Sequence, residues 1–231
     1  MNVAIILAGG TGTRVGADVP KQYLTVNGKP VISYCLEKFQ SVSAVDKIVI
    51  VAAEIWQTFI SEWITKCGIT KFAAFAPAGS SRQKSVLNGL EKAYEIGANP
   101  SDCVIIHDAA RPNVSESMIE SCLNIPDGAD GVLPVLPLKD TVYVSENGRE
   151  ISSLLNRDLL FAGQSPEGFC LGKYYSIHNG LTEKDLSEVR GSSEIAYKNK
   201  LNIRLVRGDE RNYKITTAAD VEKFKSEAEV R

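Results

Sequence analysis

Five short apolar runs recur along the chain, and their spacing limits the folds open to it. They are VAIIL (3–7), KIVIVAA (47–53), CVIIHDAA (103–110), GVLPVLP (131–137) and LNIRLVRG (201–208). Continuous apolar runs of this length suit strands buried on both faces. Stretches with helical spacing fall between them: PVISYCLEKFQS (30–41), SSRQKSVLNGLEKAYEIG (80–97) and SESMIESCLNI (115–125). In the second, Val86, Leu87, Leu90, Ala93 and Tyr94 make one face, and Gly97 suits a C-terminal stop. Strands alternating with helices predict an α/β fold, its mostly parallel sheet covered on both faces. A chain of 231 residues with no internal repeat, low-complexity segment or linker reads as a single domain over 1–231.

One segment breaks the alternation. DTVYVSENGREISSLL (140–155) reads as two short strands around Glu146-Asn147-Gly148, and Asn-Gly is a strong hairpin signal. A hairpin late in an α/β chain either lies at a sheet edge or projects as an arm toward a second subunit.

Composition excludes several classes. A formal net charge of -2 gives no basic surface for nucleic acid. The five cysteines, at 35, 67, 103, 122 and 170, are scattered and odd in number. They suggest neither a zinc site nor a disulfide framework. Reduced thiols in a cytoplasm are the expectation. The first apolar run lacks a basic flank and leads straight into glycines, so it reads as a strand and not a signal peptide. No stretch is long enough to cross a membrane.

The first run ends in LAGGTGTRVG, with Gly9, Gly10, Gly12 and Gly16 around Arg14 and with Lys21 just beyond. The P-loop pattern is absent, because no Lys-Ser or Lys-Thr follows these glycines. The dinucleotide pattern fails too: counting from Gly10 and Gly12, the third glycine belongs at Val15. What remains is a glycine turn after a strand, whose N–H groups can line a base and phosphates. Its two cations can face a triphosphate, or they can be two solvated charges on a tight turn.

Five segments then occur in order: LAGGTGTRVG…PKQY, SSRQKSVLNGL, HDAARP, NRDLLFAGQSPEGF and NYKITTAAD. Together they resemble the CTP-dependent polyol-phosphate cytidylyltransferases, in a branch acting on 2-C-methyl-D-erythritol 4-phosphate or one acting on ribitol 5-phosphate. The resemblance covers nearly the whole chain. It implies a Rossmann-like nucleotidyltransferase fold with a projecting hairpin arm at about 139–160. It also implies a divalent metal, usually magnesium, and a homodimer with exchanged arms. The implied reaction is attack of the acceptor's phosphate oxygen on the α-phosphorus of CTP, with pyrophosphate leaving. Such a nucleophile is already mostly a dianion at neutral pH, its second pKa lying near ~6. No base is required, and His107 reads as a satisfied strand-end histidine.

By the same resemblance, Arg14, Lys21 and Lys214 neutralise the triphosphate and stabilise the transition state. Leu7, Ala8, Gly9, Gly10, Gly79, Ser85, Asp108 and Ala109 are assigned to CTP, with cytosine selected by Ser85 and the backbone of Ala8, Gly9 and Gly79. Asp108, Arg111, Thr141, Arg157, Ser165 and Ser192 are assigned to the polyol phosphate. Arg157 follows the hairpin and is implied to grip the acceptor's phosphate across the subunit boundary. No protein metal ligand is assigned, Asp108 being the one candidate.

The sequence departs from this pattern at LSEVRGSSEIAYKN. Arg190 and Gly191 stand where both branches are expected to carry Thr-Asp, so either Glu194 substitutes for the lost carboxylate or the acceptor differs. Ser80 and Ser81 likewise replace an expected acidic residue. LAGGTGTR and KITT lean to ribitol phosphate, and HDAARP without a following Phe leans to methylerythritol phosphate. Two other readings compete: a sugar-1-phosphate nucleotidylyltransferase and a non-catalytic nucleotide-binding regulatory protein.

Overall fold

A computed structural model describes residues 1–10 and 19–229. The strands are β1 (Asn2–Leu7), β2 (Thr25–Val26), β3 (Lys29–Pro30), β4 (Lys47–Ala52), β5 (Phe72–Pro77), β6 (Cys103–Asp108), β7 (Gly131–Pro137), β8 (Tyr143–Val144), β9 (Ser153–Leu154), β10 (Phe161–Gly163), β11 (Glu167–Cys170) and β12 (Ile203–Arg207). The helices are α1 (Val31–Ser41), α2 (Glu54–Lys66), α3 (Arg82–Glu95), α4 (Glu116–Leu123), α5 (Leu171–Asn179), α6 (Glu183–Glu188), α7 (Ser192–Lys198) and α8 (Ala218–Glu229).

All five predicted strands and all three predicted helices form, with shifted ends. β5, β6, β1 and β4 run parallel in the order β6-β1-β4-β5. Residues of β1, β4 and β6 alternate between two cores, as the period of a strand requires. Ala4, Ile6, Ile48, Ile50 and Ile105 pack under α1 and α4 with Leu36, Phe39 and Ile119. Val3, Ile5, Val49, Val51, Val104 and Ile106 pack under α3 with Val86, Leu90 and Ala93. Ser81 and Ser115 cap α3 and α4 by accepting from Lys84 N and Met118 N.

The other half of the sheet is mixed. β11 is antiparallel to both β6 and β7, and β12 runs parallel to β7. β10 pairs the far end of β7 on the same side as β11, so Gln164-Ser165-Pro166 interrupts one long antiparallel strand. That break carries Ser165 and Glu167 to the end of β6.

The predicted hairpin forms as β8 and β9, pairing Tyr143 with Leu154 and Val144 with Ser153. It is not closed by a two-residue Asn-Gly turn. Residues 145–152 make a wider loop in which Asn147 Oδ1 accepts from Arg149 N and Glu150 N, leaving Gly148 at φ 70°. The arm leaves β7 and returns into β10, with Tyr143, Ile151, Leu154, Leu159 and Phe161 exposed on it. Among the described residues, no helix is long and apolar enough to cross a membrane, and all five cysteines are free thiols.

Candidate active site

The carboxyl ends of β1 and β6 lie side by side, Leu7 in register with Asp108. Ligands bind at such parallel strand ends in open α/β sheets. A cavity of about 440 Å³ opens there, lined by Leu7, Gly9, Gly10, Lys21, Gln22, Gly79, Ser81, Arg82, Ser85, Asp108, Lys214 and Thr216 among others. Lys21 and Lys214 are therefore brought together, as expected. Arg14 lies outside the described residues.

Gln22 builds one wall. Its Nε2 donates to Ala8 O at 2.6 Å and Gly10 O at 2.7 Å, which draws the glycine turn over β1. Tyr23 Oη also donates to Ala8 O at 2.8 Å, and Ala8 N donates to Val51 O. Both backbone groups of Ala8 are thus engaged within the protein. Gly9 and Gly10, not Ala8, face the cavity, and among the described residues nothing lies within 4 Å of where a Cβ on Gly10 would stand. Ala109 is likewise buried, its N–H on Leu7 O, and Ala110 lines the cavity in its place.

The second wall is the turn before α3. Gly79 N donates to Ser85 Oγ at 2.9 Å, and Ser85 Oγ donates to Ser81 O at 3.0 Å. A Cβ on Gly79 would stand 2.7 Å from the backbone carbon of Lys84. Overpacking of this kind costs about 1–3 kcal/mol. Gly79→Ala is expected to raise the KM for nucleotide about tenfold, measured by steady-state kinetics; an unchanged KM would show that this turn does not frame the nucleotide.

Asp108 is the electrostatic centre. Its Oδ2 accepts from Lys214 Nζ at 2.8 Å, and its Oδ1 lies 3.3 Å from Arg82 Nη2. Arg111 Nε is 4.0 Å from Oδ2. Burial alone would push the carboxyl up, but Arg82, Lys214 and Arg111 together hold it well below the usual carboxylate range. Lys214 is itself fixed by its neighbours in sequence. Ile215 is fully buried with its N–H on Ala110 O, and buried Asn212 donates to Ser165 O at 2.7 Å. Thr216 and Thr217 donate to Asp220 Oδ2 at the start of α8, so the threonine pair of KITT serves a helix cap.

His107 is buried, and its two ring nitrogens face Arg111 O at 3.2 Å and Ser165 Oγ at 3.4 Å. Burial lowers its pKa to about 4. It is neutral at pH 7, with no ring nitrogen facing the cavity.

Three residues assigned to the acceptor, Ser165, Arg111 and Ser192, are engaged by other groups of the protein. Ser165 is buried; its Oγ accepts from Asp108 N at 3.1 Å and faces His107, so it braces the end of β6. Arg111 is mostly buried, donating through Nη1 to Asn212 O at 2.7 Å. Ser192 is fully buried, its Oγ accepting from Arg82 Nη1 at 2.7 Å. Thr141 and Arg157 are exposed on the arm, away from the cavity lining, and Arg157 Nη1 donates to Lys139 O. Glu194 does not replace the lost carboxylate: it accepts from Arg190 N and Gly191 N at the start of α7 and pairs with Lys198.

Sequence reasoning passed over Gln22, Asn212, Arg82 and Glu167. Arg82 carried a signal, since it opens α3 with no acid in the first turn, against the helix dipole. Glu167 carried another, as a charge inside an apolar strand that must find a partner. Among the described residues, no three acidic, His or Cys side chains gather to hold a metal. Among the described residues, Asp108 is the only carboxylate lining the cavity.

Known proteins resemble this chain along nearly its whole length. The profile of the 2-C-methyl-D-erythritol 4-phosphate cytidylyltransferase family matches residues 2–229. A ribitol-5-phosphate cytidylyltransferase of Streptococcus agalactiae serotype Ia is 30% identical over 227 residues, covering 98% of this chain and 95% of its own. A 2-C-methyl-D-erythritol 4-phosphate cytidylyltransferase of Geobacter metallireducens is 35% identical over 221 residues, covering 94% and 93%. Among solved structures, a 4-diphosphocytidyl-2C-methyl-D-erythritol synthase superposes with a TM-score of 0.80 at 26% identity, over 97% of this chain and 98% of that one.

Proposed function

The chain belongs to the 2-C-methyl-D-erythritol 4-phosphate cytidylyltransferase family, and on that premise we propose that it is a nucleotidyltransferase joining CTP to a polyol phosphate. The acceptor is ribitol 5-phosphate or 2-C-methyl-D-erythritol 4-phosphate, and the products are a CDP-polyol and pyrophosphate. The observation that carries this reading is Lys214 held on Asp108 at 2.8 Å, in one cavity with Lys21 and the glycine turn.

An acceptor phosphate oxygen bonds to the α-phosphorus of CTP as the bond from that phosphorus to the bridging oxygen breaks. The nucleophile enters as a dianion, so no proton need be removed, and the buried neutral His107 is not called upon. What the step needs is positive charge where negative charge spreads, over the α-phosphate oxygens. Lys214 and Lys21, which line the same cavity, supply it, and Arg14 is assigned with them. Asp108 orients Lys214 through its 2.8 Å contact.

Magnesium fits this site as an ion arriving with the triphosphate. Mg²⁺ keeps several waters and takes one or two carboxylates plus substrate phosphates, and Asp108 is the side chain that would hold it. When bound, it neutralises phosphate charge. The exposed apolar side chains of the arm support a homodimer with exchanged arms. In that assembly Arg157 reaches the partner's acceptor phosphate. Arg157→Ala is expected to raise the acceptor's KM about tenfold or more, as loss of a charged hydrogen-bond partner does, with the KM for CTP little changed. A change in CTP affinity alone would remove the arm from the site.

The acceptor is tested by supplying both polyol phosphates together with CTP and magnesium and weighing the products by mass spectrometry. One CDP-polyol in excess names the substrate. Neither product, with UTP or GTP and a sugar 1-phosphate turned over instead, would overturn the reading.

A further inference from the structure

Where the Thr-Asp pair is missing, Ser192 and Ser193 open α7, and both are occupied. Ser193 N and Oγ donate to Glu167 Oε2 at 2.8 and 2.6 Å. Ser192 Oγ accepts from Arg82 Nη1 at 2.7 Å. Glu167 Oε1 lies 3.4 Å from Arg82 Nη2, so one carboxylate joins β11, α7 and Arg82.

The two oxygens of Glu167 work unequally. Oε2 makes short bonds to the N-terminus of α7, where free N–H groups favour a negative charge. Oε1 makes only a long contact with the guanidinium. Arg82 is held loosely by Asp108 too, at 3.3 Å through Nη2 and 3.4 Å through Nε. Among the described residues its one short bond is to Ser192. Arg82 lines the cavity, whereas Glu167 and Ser192 do not. The guanidinium is therefore placed by its neighbours, with its long contacts to Asp108 and Glu167 able to give way to a ligand.

The sheet order tells which ligand. The glycine turn stands at the end of β1 toward β4 and β5, where a Cβ on Gly9 would meet Ala78 and Val51 O. Arg82 reaches the other way, to β11 and α7, on the side from which the arm emerges beyond β7. We propose that Glu167 is a positioning residue for acceptor recognition: by tying α7 to β11 it presents Arg82 to the polyol phosphate. This rests on the cytidylyltransferase reading above. Arg82 touches the acceptor; Glu167 acts through it.

Glu167→Gln keeps an acceptor for Ser193 but removes the charge facing Arg82, and Glu167→Ala removes both. Steady-state kinetics with CTP, magnesium and each polyol phosphate give the first readout. Both variants are expected to raise the acceptor's KM about tenfold or more, while the KM for CTP moves less than about threefold. Amide hydrogen exchange over 190–198 gives the second, which needs no turnover. The α7 amides are expected to lose protection in Glu167→Ala and keep it in Glu167→Gln. An unchanged acceptor KM, a rise in the KM for CTP instead, or unchanged exchange in Glu167→Ala would overturn the proposal. A wild-type protein that turns over neither acceptor would overturn the cytidylyltransferase reading, with the exchange result still deciding whether Glu167 anchors α7.

Discussion

Lys214→Ala lowers the single-turnover rate with CTP and acceptor by about 10²–10³-fold, the size of effect seen when one preorganised charge-stabilising donor is removed. The protein stays folded. The lysine's own backbone is held by buried neighbours, Asn212 and Ile215, which the substitution leaves in place. Its ammonium group is partly exposed toward the cavity and bonds to Asp108, so truncation opens no core void. CTP affinity falls much less than the rate, because Lys21 still faces the triphosphate. Lys214→Arg does not restore the rate fully: a planar fork cannot stand where a compact ammonium was set. The measurement is rapid-quench single turnover at saturating CTP. A loss of less than about tenfold would remove Lys214 from the chemical step.

Asp108→Ala has the larger effect on stability. The carboxylate is nearly buried and faces Arg82, Lys214 and Arg111. Removing it leaves these cations unbalanced, and breaking a buried ion pair this way costs about 3–5 kcal/mol. For a chain of this size that is a fall in Tm of about 10 °C, with activity lost because Lys214 loses its orientation. The sign of the pH effect follows from the same cations. They hold the folded-state carboxyl below its unfolded value of about 3.9. Its stabilisation is fully present above about pH 4 and is lost only as pH falls toward the folded value. Asp220, lowered to about 2 by hydrogen bonds from Thr216 and Thr217 that outweigh the effect of burial, adds to the same acid window. Thermal unfolding between pH 7 and pH 5 therefore shows little change from these groups. Below pH 4, Asp108→Asn destabilises less steeply than wild type, and parallel slopes would contradict this.

The parallel half of the fold was legible because its strands are continuous apolar runs, and Ser81 and Ser115 mark helix starts in the open. α2 and β5 were not: Ile60 is the one fully buried residue of α2, and FAAFAP reads as a weak strand. β10 and β11 are short and broken by Gln164-Ser165-Pro166, a tertiary feature that no period reveals. Within the site, Lys21, Lys214 and Asp108 could be read from the motifs that carry them. The fates of Ala8, Ser165, Ser192 and Arg111 could not, because burial and bonding partners come from residues far away in sequence. Arg82 and Glu167 illustrate the same gap. They are 85 residues apart, and each looks misplaced until the other is seen.

The most direct test of the account is pyrophosphate release from CTP and magnesium, with and without a polyol phosphate. Acceptor-dependent release, lowered about 10²–10³-fold in Lys214→Ala and specific for CTP over UTP and GTP, is the predicted result. Release that proceeds at the same rate without any acceptor, or CTP binding with no release under any acceptor, would contradict transfer at this cavity.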